Sequence, residues 1–349
     1  MGYDVAGDNR LDPRIKALLA MLPEEPRRPH SATRDEMVAL AASPAALQAE
    51  KTFRDLVEIC DVEEVVTSAG LRVETVTFES APDGNTVNIQ LIRPDNDEVL
   101  PCVYYIHGGG MTTLSCYYGN YRAWGKILAH QGVAVAMVDF RNALSPSSSP
   151  EVAPFPAGLN DCVSGLRWVS QNALSLGIDA RRIIISGESG GGNLTLASGM
   201  KLLADGDIDL VTGLYALCPY IAGDWPQDRF PSSIENNGIF IDVHGDQGAI
   251  AYGIEAFERR DPLAWPWFAR DHDVRGLPPV VINVNECDPL RDEGIAFYRM
   301  LLEHDVPARC RQVMGTMHAT EVVPILCPDI TYDCARDIAA FAIGGPGRR

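Results

Sequence analysis

The chain has no lysine- and arginine-rich run, no CxxC pair, no HExxH, and no apolar stretch near the roughly 18 residues that a membrane span requires. Each absence removes a class of function. Without a basic run, and with 47 acidic residues against 29 basic ones for a net charge of -18, phosphate neutralisation is unavailable, so no nucleic-acid partner is expected. The acidity reads as a solubilising surface. Without HExxH or zinc-type cysteine spacing no metal is expected. Without GxGxxG or GxxxxGK[ST] there is no phosphate-cradling loop, and no cofactor is expected. Nine unclustered cysteines, an odd number, suit reduced thiols better than a disulfide framework. Residues 1–9 are polar and acidic and carry no apolar leader core. A soluble, cytoplasmic protein is the expectation.

What is present, 349 residues with 46% hydrophobic content, can bury a large core. Residues 1–60 carry loose helical spacing, with a first helix over 13–22, a proline-rich break at 23–29 and further helix over 34–60. Alternation at 74–78 and 86–91 around Pro82-Asp83-Gly84-Asn85 predicts an antiparallel hairpin. From residue 100 onward, short apolar runs (102–106, 133–138, 183–185, 211–217, 280–284) alternate with amphipathic segments (160–174, 193–203, 291–303). That rhythm predicts a mostly parallel central sheet covered by helices on both faces, with the chemistry at the strands' carboxyl edge. Residues 224–266 break the rhythm, with one weak helix over 247–259, and read as an insertion over the site. No internal repeat is present.

Gly187-Glu188-Ser189-Gly190-Gly191 follows the strand-like 183–186 and precedes a helix, which is the setting a GxSxG nucleophile turn needs. Glycines two residues to either side leave room for the sharp turn, and the helix start aims free N–H groups at a developing oxyanion. Serine needs a base. His318 lies in the loop between the strand-like 308–313 and the last helix, where the third member of a Ser, acid, His order belongs. His304 suits a helix end instead, and His30, His130, His244 and His272 read as surface or loop residues. Asp288, at a strand end and held extended by Pro289, is the expected orienting acid, with Glu286 second. Asp292 and Glu293 are expected to open the next helix as cap and dipole partners. His107-Gly108-Gly109-Gly110 follows the strand at 102–106 and supplies backbone that can approach a substrate oxygen closely, with His107 pinning the loop rather than acting as a base.

HGGG at 107–110, GESGG at 187–191, DPLRDEG at 288–294 and His318 together resemble the hormone-sensitive lipase family of α/β-hydrolases, a likeness that covers about three quarters of the chain, from Phe78 to the last helix. The resemblance implies the α/β-hydrolase fold, the triad Ser189, Asp288 and His318, and an oxyanion hole from the N–H groups of Gly108, Gly109 and Gly190. It also implies a helical cap made of residues 1–65 with an insertion at about 224–261, over a catalytic domain of 66–349. The chain departs from the commoner pattern in having Glu188 for aspartate, Gly190 for alanine, and Asp139-Phe140-Arg141-Asn142 where DYRLAPE is usual.

The expected function is serine carboxylesterase activity on short- to medium-chain esters, through an acyl-enzyme. Met111, Glu188 and Phe240 are expected to bind substrate. Trp225, Phe230, Ile234, Phe240 and Ile241 are expected either to line an acyl pocket or to pack the cap onto the core. Three alternatives stay open: an amidase or peptidase, a macrocyclic lactone hydrolase, and a non-catalytic receptor on the same scaffold. The partner is a small-molecule ester. Oligomeric state is open, with a homodimer as one option.

Overall fold

The computed structural model describes Val5, residues 7–21 and residues 31–344, so the proline-rich break and His30 lie outside the described residues. Three helices come first, α1 (Pro13–Leu19), α2 (Arg34–Ala41) and α3 (Pro44–Val57), each capped by the residue before it, Asp12, Thr33 or Ser43, whose side-chain oxygen accepts a backbone N–H of the first turn. Then follow β1 (Leu71–Glu79), β2 (Thr86–Pro94), β3 (Leu100–Ile106), α4 (Gly119–Ala129), β4 (Ala134–Asp139), α5 (Ala157–Gln171), β5 (Ile178–Glu188), α6 (Gly190–Asp205) and β6 (Gly213–Leu217). The insertion holds α7 (Ser232–Glu235) and α8 (Gln247–Glu258), and the chain ends with α9 (Asp271–Val274), β7 (Val280–Asn285), α10 (Arg291–Glu303), β8 (Ala308–Val313) and α11 (Pro328–Gly344).

The eight strands form one sheet in the order β1-β2-β4-β3-β5-β6-β7-β8. β1 and β2 make the expected antiparallel hairpin, with Phe78 opposite Val87, and β2 also runs antiparallel to β4. All later pairings are parallel. Alternation along β3 shows why its apolar run is continuous. Cys102, Tyr104 and Ile106 join the core that holds side chains of α5, α6 and α10, while Val103 and Tyr105 join the one that holds α4 and α11. Sequence spacing did not single out α4, although nearly every residue in it is buried, including Asn120 and Lys126. Polar residues interrupt its apolar stripe, and Lys126 is satisfied within the fold by Asp61 at 2.7 Å.

Register brings the functional loops together. Ile106 pairs with Gly187, Glu188 with Leu217, and Asn285 with Val313, so the chain leaves β3, β5, β7 and β8 at the same sheet edge. The N-terminal segment docks there as well. Leu11 and Ile15 pack with Ile239 of the insertion and with Cys287 and Met317, and Ser31 exchanges two hydrogen bonds with the side chain of Gln247.

One expectation fails at α10. Asp292 and Glu293 both lie in the first turn of α10, but neither caps it: Asp292 accepts the Ser232 N–H of the insertion at 2.7 Å, and Glu293 is fully buried. Its carboxylate accepts the N–H groups of Ile221 and Ala222 at 2.8 and 3.1 Å and the Trp225 indole N–H at 2.6 Å. Burial pushes this carboxyl up to about 8, against the pull of those three donors. Glu293 therefore ties the insertion to the sheet. Glu293→Ala strands three buried donors, and we expect it to cost roughly 3 kcal/mol in urea denaturation with little change in m-value; a loss below about 0.5 kcal/mol would contradict this role.

Candidate active site

Ser189 occupies the turn between β5 and α6 at φ 57° and ψ -119°, a conformation that costs a residue with a β-carbon about 1–3 kcal/mol. Its glycine neighbours are required by close approach. A β-carbon on Gly187 would lie 2.5 Å from Ile106 O, one on Gly191 2.0 Å from the same atom, and one on Gly190 2.5 Å from Met111 N. The last contact gives a reason for glycine rather than alanine at position 190: the 107–111 loop lies directly against the nucleophile turn. The Ser189 N–H bonds to Leu217 O, and its carbonyl accepts from Asn193 and Tyr220, so the turn is held from three directions.

His318, 4% exposed, places Nε2 2.8 Å from Ser189 Oγ and Nδ1 2.8 Å from Asp288 Oδ2. With Nδ1–H donating to the carboxylate, Nε2 is left to accept from the serine hydroxyl. Burial works to lower the pKa of His318, but the Asp288 carboxylate, by charge and hydrogen bond, lifts it above the usual value, with Glu188 and Glu321 adding to the lift. Asp288 is fully buried, and its second oxygen accepts the Leu290 N–H at 2.9 Å. Asn236 of the insertion anchors this loop through Glu286 O and Asp288 O. Glu286, the second choice of acid, instead holds the histidine loop by accepting Gly315 N–H at 2.7 Å. Glu321, which no sequence signal marked, is buried beside the pair and accepts from Asn283 and Asn285 at 2.6 and 3.2 Å; burial raises its carboxyl pKa.

Glu188 and the glycine loop are bonded to each other. Gly108 N–H already donates to Glu188 Oε1 at 2.7 Å and to the Tyr121 hydroxyl at 3.1 Å. Among the described residues no acceptor is bonded to the N–H groups of Gly109, Gly110 or Gly190. A β-carbon on Gly190 would fall 2.8 Å from Gly110 N, so the Gly110 amide lies against the serine turn. Glu188, expected to bind substrate, is 2% exposed and lies behind the loop, its oxygens taken by Gly108, Tyr121 and Tyr105. Burial pushes its carboxyl up to about 7. Met111 is buried with φ 61°, and its carbonyl holds the Ala143 N–H. His107 stacks on Phe140 at 4.4 Å, and its Nδ1 lies 3.0 Å from Gly108 O, a pinning arrangement.

The insertion's apolar residues divide. Trp225 and Phe230 are core: Trp225 stacks on Tyr220 at 4.6 Å and Phe230 meets Trp267 edge-on at 4.8 Å. Ile234 and Phe240 are 52% and 42% exposed. Of the other histidines, His304 pairs with Asp271 at 3.1 Å, while His130 and His244 bond to backbone carbonyls. All nine cysteines are free thiols. Among the described residues, the one grouping with ligand-like spacing is Cys218, Asp288 and His318, two of which already bond to each other. A cavity of about 390 Å³ lined by Asp224, Arg229, Glu258 and Arg260 has none of Ser189, Asp288 or His318 in its wall. No helix among the described residues is long and apolar enough to cross a membrane.

Residues 103–322, well over half of the chain, match the profile of a family described by its alpha/beta hydrolase fold. A solved structure of esterase Est22 is 60% identical and superposes with a TM-score of 0.96, covering 99% of this chain and 100% of that one. Brefeldin A esterase, described as a bacterial homologue of human hormone-sensitive lipase, is 34% identical with a TM-score of 0.84 over 97% of this chain and 94% of that one. Carboxylesterase NlhH of Mycobacterium tuberculosis is 29% identical over 245 residues, 69% of this chain and 73% of that protein. With its parallel sheet, nucleophile turn and glycine loop, the chain belongs to the α/β-hydrolase fold family, in the group related to hormone-sensitive lipase.

Proposed function

We propose that the protein is a serine carboxylesterase in which Ser189, His318 and Asp288 form the catalytic triad. The observation that carries this reading is the unbroken Ser189–His318–Asp288 hydrogen-bond chain at 2.8 Å per link, beside a loop with unspent N–H donors. Ser189 Oγ attacks the ester carbonyl while its proton passes to His318 Nε2. The oxyanion is held by the N–H groups of Gly109, Gly110 and Gly190, with the N-terminus of α6 adding its dipole. His318 then protonates the departing alkoxide, and water repeats the sequence on the acyl-enzyme to release the acid and restore Ser189. Asp288 fixes the histidine tautomer and balances the imidazolium formed on the way.

The esterases named above support an ester as the substrate, and one solved structure of Est22 holds p-nitrophenol. We place short- to medium-chain esters first. Residues 1–65 and 224–261 act as a cap, a role supported by the docking of Leu11 and Ile15 on Ile239, Cys287 and Met317. Nine free thiols, eight of them buried, support a reducing, cytoplasmic setting.

Hydrolysis of p-nitrophenyl esters from acetate to laurate tests the reading: turnover should peak at the shorter chains and fall at least about 10³-fold in Ser189→Ala. Equal turnover by the variant, or no turnover of any ester by the native protein, would refute it. The raised pKa of His318 gives a second expectation, because only the neutral imidazole can take the serine proton. kcat/KM should fall as pH drops, with a midpoint above the ordinary histidine value of about 6.5. A flat profile down to pH 5 would exclude His318 as the base.

A further inference from the structure

Glu188 precedes the nucleophile, is 2% exposed and has no role in the reaction steps above. Its carboxylate nevertheless joins three elements of the site. Oε1 accepts the Gly108 N–H at 2.7 Å and the Tyr121 hydroxyl of α4 at 2.5 Å, and Oε2 accepts the Tyr105 hydroxyl of β3 at 2.6 Å. The fit at Gly108 is tight: a β-carbon there would lie 2.3 Å from Oε1. The loop beyond it, Gly109, Gly110 and Met111, runs through positive φ at 91°, 61° and 61°, a conformation that glycine adopts freely and that costs only Met111. On its far side the loop is fixed by Thr112 and Thr113 N–H to Gly109 O and by Ala143 N–H to Met111 O. On its near side the anchors are the His107 ring, stacked on Phe140, and the Glu188–Tyr121 pair on Gly108 N.

We propose that Glu188 is the positioning residue of the oxyanion loop: by taking up the Gly108 N–H it sets the loop's register, so that the N–H groups of Gly109 and Gly110, and not that of Gly108, face the reacting carbonyl. The inference rests on the esterase reading of the same site. Because Glu188 precedes Ser189 in the chain, one short segment fixes both the nucleophile and the donors that stabilise its product. A carboxyl group suits the task because one oxygen can accept from the loop amide and a tyrosine hydroxyl together.

The test compares Glu188→Ala, Glu188→Gln and Tyr121→Phe with the native protein, on p-nitrophenyl butyrate and on an alkyl boronic acid, whose tetrahedral adduct on serine mimics the transition state. Removing a whole oxyanion donor costs on the order of 10²- to 10³-fold, so a misplaced loop is expected to lower kcat roughly 10- to 100-fold in Glu188→Ala. KM should stay within about threefold, and boronate affinity should fall in parallel with kcat/KM. Glu188→Gln keeps an oxygen for Gly108 N and Tyr121 and should stay within a few-fold of native. Tyr121→Phe removes one bond to Gly108 N and should show a smaller loss of the same kind; it decides the matter if Glu188→Ala does not fold. Native kcat in Glu188→Ala, a loss carried by KM alone, unchanged boronate affinity, or a folded Glu188→Gln as impaired as Glu188→Ala would each overturn the proposal. Ester turnover by the native protein is measured alongside, so a failure of the esterase reading is told apart from a failure of the positioning role.

Discussion

Ser189 sits at φ 57° and ψ -119° only because β5, α6 and the 107–111 loop close on it, and the rest of the site depends on that closeness. No β-carbon fits at 187, 190 or 191 without displacing backbone, so the turn and the loop pack main chain against main chain. This contact brings unspent N–H groups within reach of whatever carbonyl the serine attacks. It also makes the strain affordable, since a turn braced by Leu217, Asn193 and Tyr220 has little room to relax.

Of the carboxylates that the fold buries, four have different partners. Asp288 bonds His318 Nδ1, Glu188 takes up the Gly108 N–H, Glu321 bonds two asparagines of β7, and Glu293 fastens the insertion to the sheet. None of these four bonds to arginine or lysine; each relies on backbone amides, hydroxyls, side-chain amides, an indole or an imidazole. Burial raises the pKa of Glu188, Glu293 and Glu321, while their hydrogen-bond donors pull the other way. For His318 the balance reverses, because the charges of Asp288, Glu188 and Glu321 outweigh its own burial. The field at His318 is thus set by residues from three separate segments.

The sheet was legible because buried parallel strands leave continuous apolar runs, and runs such as 102–106 and 280–284 fall inside β3 and β7. The serine turn, the glycine loop and the acid and histidine positions were legible because glycine spacing and chain order carry backbone constraints. What sequence could not show was which hydrogen bonds are spent. Gly108 and Gly110 look alike in HGGG until Glu188 claims one of them. Glu293 and Asp292 look alike at the start of α10, and only the fold of the insertion gives one to Ile221, Ala222 and Trp225 and the other to Ser232. Trp225 and Phe230 read equally well as pocket or core, and the Glu293 and Trp267 contacts that help make them core come from segments distant in sequence.

The central claim is that Ser189, activated by His318, carries the acyl group. Rapid quenching of the protein with p-nitrophenyl acetate, followed by peptide mass spectrometry, tests it most directly. The account predicts a burst of p-nitrophenol and a 42 Da acetyl increment, the mass of C2H2O (about 42), on the peptide containing Ser189, both lost in His318→Ala. Acetyl on a different residue, or an unchanged burst in His318→Ala, would contradict it.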